Sequence, residues 1–231
     1  MIDFHTHILP GIDDGSSSLE ESLEMLRLSA EQGVDLLYLT PHFYAEEDSP
    51  ASFLKRREEA FGRLSEWQED DSLELRLGAE VLYYQGMEDS AELEGLAMEK
   101  TRLILIEPPF TPWPNYVISE IRRTGENLGL VPVIAHADRY MRMFNDKSIV
   151  NSLLEERLLV QFNTKAFLDR SFATLAFEFL KKGKIAFIGT DAHNTGSRPV
   201  NLGEACAAIR NAGLARELAA MNERSYRLLN A

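Results

Sequence analysis

The chain has only five histidines, His5, His7, His42, His136 and His193, and each falls at or just past the C-terminal end of a short apolar run. Carboxylates share the pattern: Asp3 and Asp14 lie near the first run, and Glu80, Glu107 and Asp191 end later ones. Imidazole nitrogen mixed with carboxylate oxygen is a donor set of borderline hardness, suited to divalent transition metals. His5-Thr6-His7 puts both imidazoles on one side of an extended segment, because strand side chains alternate. Thr190-Asp191-Ala192-His193 repeats that i, i+2 geometry with one oxygen and one nitrogen. Each element has a plainer reading by itself. An isolated His-x-His can be structural, Gly11-Ile12-Asp13-Asp14-Gly15 can be only a turn, and His42 can be a core histidine beside Pro41. Gly78-Ala79-Glu80 and Ile106-Glu107-Pro108 are harder to dismiss. Each sets a carboxylate directly after an apolar run, where burial without a cation or strong hydrogen bonds is costly. Together the elements predict a polynuclear metal site.

Such a site needs a scaffold that brings distant segments to one end. Apolar runs at 1–5, 35–40, 73–79, 102–106, 131–135, 158–162 and 185–190 read as strands buried on both faces, the habit of a parallel sheet. Helical periodicity lies between them at 19–32, 51–68, 115–128, 147–156, 169–182 and 201–212, with a last helix at roughly 214–228. Ser18 and Glu21 have capping-box spacing, and Gly33, Gly129, Gly183 and Gly213 sit where helices stop. Residues 81–100 suggest one short acidic helix. Seven βα units predict an α/β fold with a parallel sheet, either doubly wound or closed as a barrel. Polar residues gathered at the strand C-termini favour the barrel, whose active sites are built from that end.

Composition bounds the rest. The 231 residues, 45% hydrophobic and 26% charged, suit a single globular domain spanning 1–231. Net charge is −13, and it is uneven: residues 1–99 carry 6 basic and 24 acidic groups, residues 100–231 carry 18 and 13. This argues against nucleic-acid binding, which relies on Lys and Arg. Most of the acid excess is read as solvated surface, and a few carboxylates as metal ligands whose cations the formal count omits. Cys206 is the only cysteine, so no internal disulfide forms. No segment is long and apolar enough to cross a membrane and the N-terminus has no signal core, so a cytoplasmic location is expected.

In order along the chain, Asp3-Phe4-His5-Thr6-His7, Gly11-Ile12-Asp13-Asp14-Gly15, Thr40-Pro41-His42, Gly78-Ala79-Glu80, Ile134-Ala135-His136-Ala137-Asp138-Arg139-Tyr140 and Gly189-Thr190-Asp191-Ala192-His193-Asn194 resemble the motifs of the PHP (polymerase and histidinol phosphatase) superfamily. More closely they resemble the bacterial protein-tyrosine phosphatases of capsule and exopolysaccharide loci, the CpsB/YwqE type. The resemblance runs from Asp3 to Arg198. It implies a distorted seven-stranded, TIM-like (β/α) barrel of PHP type with three divalent metal ions, manganese foremost and iron, zinc or magnesium as alternatives. It assigns His5, His7, Glu80 and Asp191 to the first ion, and Asp14, His42 and His193 to the second. The third goes to Glu107, His136 and a bridging Glu80. Asp14 stands where histidinol-phosphatase-like members often carry histidine, which favours the tyrosine-phosphatase branch. Arg139 and Arg198 match phosphate-binding arginines. Two positions depart from the family pattern: Ala137-Asp138 replaces Pro-Glu, and Phe43 replaces a second histidine.

The resemblance implies hydrolysis of phosphotyrosine on a protein, a bacterial tyrosine autokinase in capsule or exopolysaccharide biosynthesis. Metal coordination lowers the pKa of water to give a nucleophile, and the arginines neutralise the phosphoryl oxygens. His193 or Asp191 is the candidate for protonating the leaving oxygen. Cys206 is followed too closely by Arg210 for a Cys-x5-Arg nucleophile loop. Three other readings remain: a phosphatase of a small metabolite such as histidinol phosphate, a C–N hydrolase, and a non-catalytic module that binds a phosphoprotein. No strand-end lysine offers a bridging carbamate, which weighs against the C–N hydrolase.

Overall fold

The computed structural model describes residues 1–64 and 73–231. All strand pairings are parallel. A three-stranded sheet has the order β1 (Ile2–Thr6), β2 (Leu36–Leu39), β4 (Glu74–Leu77). A six-stranded sheet runs β3 (His42–Phe43), β5 (Glu80–Leu82), β6 (Leu103–Glu107), β7 (Val131–Ile134), β8 (Leu159–Asn163), β9 (Phe187–Gly189). Together they form an α/β fold with a curled parallel half-barrel sheet. Seven strands were expected and nine are present among the described residues, because the second and third runs are each followed by a short additional strand. Pro41 has no N–H to give the ladder, and β3 begins at His42, after Thr40 and Pro41. At Gly78 a Cβ would come within 2.6 Å of Met98 Sδ, and β5 resumes at Glu80. His42 and Glu80 thus open short strands of their own, paired with each other in register.

The nine helices among the described residues are α1 (Leu19–Glu31), α2 (Pro50–Arg63), α3 (Asn115–Leu128), α4 (Ala137–Met143), α5 (Ile149–Glu155), α6 (Lys165–Leu168), α7 (Ala173–Lys181), α8 (Leu202–Asn211) and α9 (Ala215–Leu229). Ser18 caps α1 by accepting from Glu21 N at 3.2 Å, but the Glu21 carboxylate turns to Ser17 N at 3.0 Å rather than closing the box. The last part of the helix expected at 51–68 lies outside the described residues. The helix expected at 169–182 starts later, at Ala173, because Asp169 accepts from Ser171 N and Oγ in an Asx turn that separates α7 from α6, a short helix that was not expected. The acidic helix expected within 81–100 is two 3₁₀ turns, Met87–Asp89 and Ala91–Leu96. Helix α4 was not anticipated; it starts directly after His136.

The core has two parts. Sheet residues such as Leu37, Leu39, Ile104, Ile106 and Val160 pack outward against Met25, Leu26, Ile121 and Leu153 of the helices. A smaller inner cluster holds Ile2, Phe4, Leu36, Tyr38, Leu103, Leu105, Val133 and Phe187, with Phe4 and Phe187 stacked at 3.8 Å. Cys206 is buried in α8, and burial pushes its thiol up, which suits a packing role. No described helix is long and apolar enough to cross a membrane.

Candidate metal centre

The polar site is a continuation of the inner cluster toward the strand C-termini. Along β6, Leu103 and Leu105 fill the cluster and Glu107 extends the same face. Along β8, Leu159 packs on it and Gln161 and Asn163 follow at alternate positions. Strand β1 needs a further device, since simple alternation would send Phe4 and His5 to opposite faces. Its register against β2 slips between Asp3 and Thr6, and irregularities of this kind re-aim side chains beside active sites. Phe4 therefore stays in the apolar cluster while His5 and His7 both reach the polar site. The neighbouring strand must come close to allow this: a Cβ on Gly189 would sit 2.6 Å from His5 Cβ, so only glycine fits there.

Glu80 stands at the middle. Its Oε2 is 3.1 Å from His5 Nε2, 3.3 Å from His7 Nε2 and 3.1 Å from His42 Nδ1. Its Oε1 is 2.9 Å from His136 Nε2, which lies 3.0 Å from Glu107 Oε1. Asp14, on the loop after β1, sets Oδ1 3.5 Å from His42 Nε2 and 3.4 Å from His193 Nε2. Asp191, at positive φ, has Oδ1 3.6 Å from His7 Nε2 and 3.8 Å from His5 Nε2. Every residue anticipated as a ligand is thus part of one cluster. Asp14 is the exposed member; Glu80, Glu107 and the imidazoles other than His42 are buried. Donor atoms of His7, Asp14, His42 and His193 lie within 4.8 Å of one another, as do those of His5, His7 and Glu80, and those of His42, Glu80 and Glu107.

The donor set fits a cation for a reason beyond proximity. His5 Nδ1 faces Gln161 Oε1 at 3.3 Å and His7 Nδ1 faces Asp13 Oδ2 at 2.7 Å. Both partners are acceptors, so each Nδ1 carries a proton and each ring, once neutral, presents a lone pair at Nε2. These two Nε2 atoms are 3.0 Å apart. His193 repeats the arrangement, with Nδ1 on the Asp191 carbonyl at 3.0 Å and Nε2 turned to Asp14. Lone pairs that converge on each other and on carboxylates repel unless a proton or a metal ion stands among them. Glu80 Oε2, His42 Nδ1 and His193 Nε2 are buried without a hydrogen bond among the described residues.

Protonation follows from the same contacts. Burial disfavours a charged His7, but Asp13 outweighs it by charge and hydrogen bond and raises His7 to about 10. For His136 burial is likewise overcome, by hydrogen bonds to Glu107 and Glu80, and the value rises to about 9. His193 goes the other way: burial and the His7 charge lower it to about 4. Against burial, electrostatic attraction to the neighbouring imidazoles, His5 and His42 first, holds Glu80 well below the carboxylate range, and His5 and His136 do the same for Asp191.

The two arginines flank the ligands. Arg198 NH2 meets Asp191 Oδ1 at 2.7 Å, and Arg139 NH2 lies 4.0 Å from Asp191 Oδ2. Arg139 rides on α4, whose entry is fixed by His136 in the left-handed region. Asp138 is buried and ties α4 to β8 by accepting from Asn163 N at 2.8 Å, and it also accepts from Arg142 NH2 of its own helix at 2.6 Å. Phe43 is a core residue. Arg139 and Arg198 line a cavity of about 700 Å³ with Asn163, Thr190 and Asp191.

Sequence reasoning singled out the ligand candidates but not their supports. Asp13 orients His7 and accepts from His42 N at 3.0 Å. Gln161 holds His5 and accepts from His136 N at 2.7 Å, and Asn163 donates to Asp191 Oδ2 at 2.9 Å. Asp3 accepts from Thr190 N and Oγ1, and burial raises it to about 6. The available signal was Gln161 and Asn163 at i, i+2 within the otherwise apolar run of β8.

The profile of the family described as capsular polysaccharide synthesis, CpsB/CapC, matches residues 1–224. The tyrosine-protein phosphatase YwqE of Bacillus subtilis is 30% identical over 211 residues, covering 89% of this chain and 82% of that protein. The tyrosine-protein phosphatase CpsB of Streptococcus pneumoniae is 32% identical over 217 residues, with 86% and 85% covered. Among solved structures, one from a crystallographic study of YwqE from B. subtilis and CpsB from S. pneumoniae, described as unique metal-dependent tyrosine phosphatases, superposes with a TM-score of 0.85. It is 27% identical and covers 100% of this chain and 95% of its own.

Proposed function

Because the chain belongs to the CpsB/CapC family of capsular polysaccharide synthesis, we propose that it works as a metal-dependent tyrosine-protein phosphatase in that process. One observation carries the reading: five imidazoles and three further carboxylates from separate segments converge around Glu80, with the Nε2 atoms of His5 and His7 set 3.0 Å apart and Glu80 Oε2, His42 Nδ1 and His193 Nε2 buried without a hydrogen bond among the described residues. In finer detail, the centre takes three divalent ions, manganese foremost. His5, His7, Glu80 and Asp191 hold the first, Asp14, His42 and His193 the second, and Glu80, Glu107 and His136 the third. The short distances among these donors support that division. Main-chain bonds from Asp191 N to His5 O and from His7 N to Ala192 O, each 2.8 Å, support reading the one-domain fold as a distorted PHP-type barrel.

When bound, the ions would supply a nucleophile at neutral pH by lowering the pKa of water and would draw charge from the phosphoryl oxygens. The chain's own groups do the rest. Arg139 and Arg198 grip the phosphoryl oxygens by charge-assisted hydrogen bonds. Asp191 and Asn163 hold Arg198 in line, and Asp13 and Gln161 fix the tautomers of His7 and His5. A phenolate leaves more readily than an alkoxide, so protonation by His193 or Asp191 is a lesser demand. The proposed substrate is a phosphotyrosine segment of a bacterial tyrosine autokinase, met in the cytoplasm.

The test compares kcat/KM of the manganese-loaded protein for matched phosphotyrosine and phosphoserine peptides and for histidinol phosphate. Phosphotyrosine should lead, and a chelator should abolish turnover. If histidinol phosphate or another small ester wins a hundredfold, about 2.7 kcal/mol, the small-metabolite reading replaces this one. Phosphopeptide binding with no turnover would leave a binding module.

A further inference from the structure

Phe110 leaves 43% of its surface exposed at the mouth of the centre, although it sits in an otherwise well-packed aromatic group. Its ring lies nearly parallel to His136 at 5.9 Å and to Tyr140 at 5.6 Å. Neighbouring Trp113 packs edge-on against Tyr140 and donates from Nε1 to Pro109 O at 2.7 Å. Tyr140 Oη donates to Pro108 O. The Pro108-Pro109-Phe110 segment is therefore pinned at two carbonyls, and Phe110 is held out on a rigid support. Exposing a large apolar side chain on a fixed loop costs hydrophobic stabilisation that burial would give.

The Arg139 guanidinium carbon lies 5.2 Å from the centroid of the same ring, close enough for a cation–π contact. Its NH2 is 4.0 Å from Asp191 Oδ2. Phe110 thus adjoins both a proposed metal ligand, His136, and a proposed phosphate ligand, Arg139. A phosphate monoester bound at Arg139 has its organic group one ester bond away, within reach of this ring. The geometry points to Phe110 as a specificity-determining residue that receives the phenol ring of the substrate, a role resting on the phosphatase reading above. Aromatic pairs at 4.5–7 Å add about 0.5–1.5 kcal/mol beyond their buried area, so an aryl ester gains here what an alkyl ester does not. Tyr44 stacks in a similar way on His42, at 5.2 Å. It follows β3, however, whereas Arg139 and Phe110 belong to the segments after β7 and β6. The aryl group goes to the side of the arginine.

Phenylphosphonate and methylphosphonate separate the two parts of the ligand without turnover. Their Kd values for the manganese-loaded protein are read from thermal-shift titrations of wild type, Phe110→Ala, Phe110→Trp and Tyr44→Ala. Wild type should prefer phenylphosphonate. Phe110→Ala should weaken it about tenfold while methylphosphonate stays within about twofold, and Phe110→Trp should keep the preference. KM for a phosphotyrosine peptide should rise in Phe110→Ala with kcat retained, as loss of uniform binding requires. Three results overturn the inference. Equal loss of both phosphonates in Phe110→Ala would make Phe110 a support for Arg139, unchanged Kd values for both would leave it a bystander, and collapse in Tyr44→Ala instead would move the aryl site. None depends on turnover, so failure of the phosphatase reading is seen separately, in wild type with phosphotyrosine peptide.

Discussion

Loading the centre with a divalent ion must expel protons. In the metal-free protein His7 is held up to about 10 and His136 to about 9, while His193 is held down to about 4. At pH 7 the first two rings therefore carry an extra proton at the nitrogen a cation needs, and His193 does not. Metal can enter only as those protons leave, so affinity rises with pH. Summed over the centre, two protons per loading correspond to about a hundredfold per pH unit between pH 7 and 9, or about 2.7 kcal/mol. The dependence should ease to about tenfold per unit between 9 and 10, where His136 has lost its proton and His7 has not. Isothermal titration of Mn²⁺ into metal-free protein at pH 7, in two buffers of different ionisation enthalpy, counts the protons directly and should return close to two. Asp13 is the lever. It lies 2.7 Å from His7 Nδ1 with a side chain 5% exposed, so Asp13→Asn removes the charge that raises His7. The count should then fall to about one, with metal affinity about 10–100-fold weaker from loss of the orienting carboxylate. The same shifts act oppositely on the metal-free fold. Groups raised by folding stabilise it at pH values below their unfolded pKa, so that part of the stability disappears as pH climbs through 9 and 10. Metal uptake with no proton release, or an affinity flat from pH 7 to 9, would refute the assignment of these imidazoles as ligands.

Two further perturbations probe the rest of the site. Arg139→Ala should leave metal content unchanged and cost about 2–4 kcal/mol of transition-state stabilisation, measured as kcat/KM on a phosphotyrosine peptide. Arg198→Ala should lose at least as much and also lower metal content, because Arg198 holds Asp191 Oδ1 at 2.7 Å; metal analysis beside the kinetics separates the two arginines. In the loop carrying Asp13 and Asp14, a Cβ on Gly15 would meet His7 O at 2.2 Å and His7 Cβ at 2.5 Å. Gly15→Ala should therefore destabilise by about 1–3 kcal/mol, lowering Tm, and should reduce metal content by shifting Asp13 and Asp14.

The ligand candidates were legible in the sequence because buried charge is expensive. A glutamate closing Leu103-Ile104-Leu105-Ile106, or histidines ending apolar runs, require partners wherever the chain goes, so residue type and position alone mark them. Helix stops at Gly33, Gly129, Gly183 and Gly213 were readable for a local reason, since each takes the positive φ that glycine tolerates. The parallel α/β class followed from apolar runs alternating with helical periodicity. What the sequence left undetermined depends on contacts between distant segments. Alternation along β1 predicts that Phe4 and His5 part company, and only the register slip against β2 turns both inward. The short strands β3 and β5, just past the second and third runs, arise from tertiary fit around Pro41 and Gly78, so they show no local period. Asp13, Gln161 and Asn163 gained their roles from a partner nitrogen or carboxylate 6, 156 and 28 residues away. The polar pair Gln161 and Asn163 stands out within β8, but the partner each takes leaves no trace in a local pattern, because the chain between partners is free to vary until the fold closes.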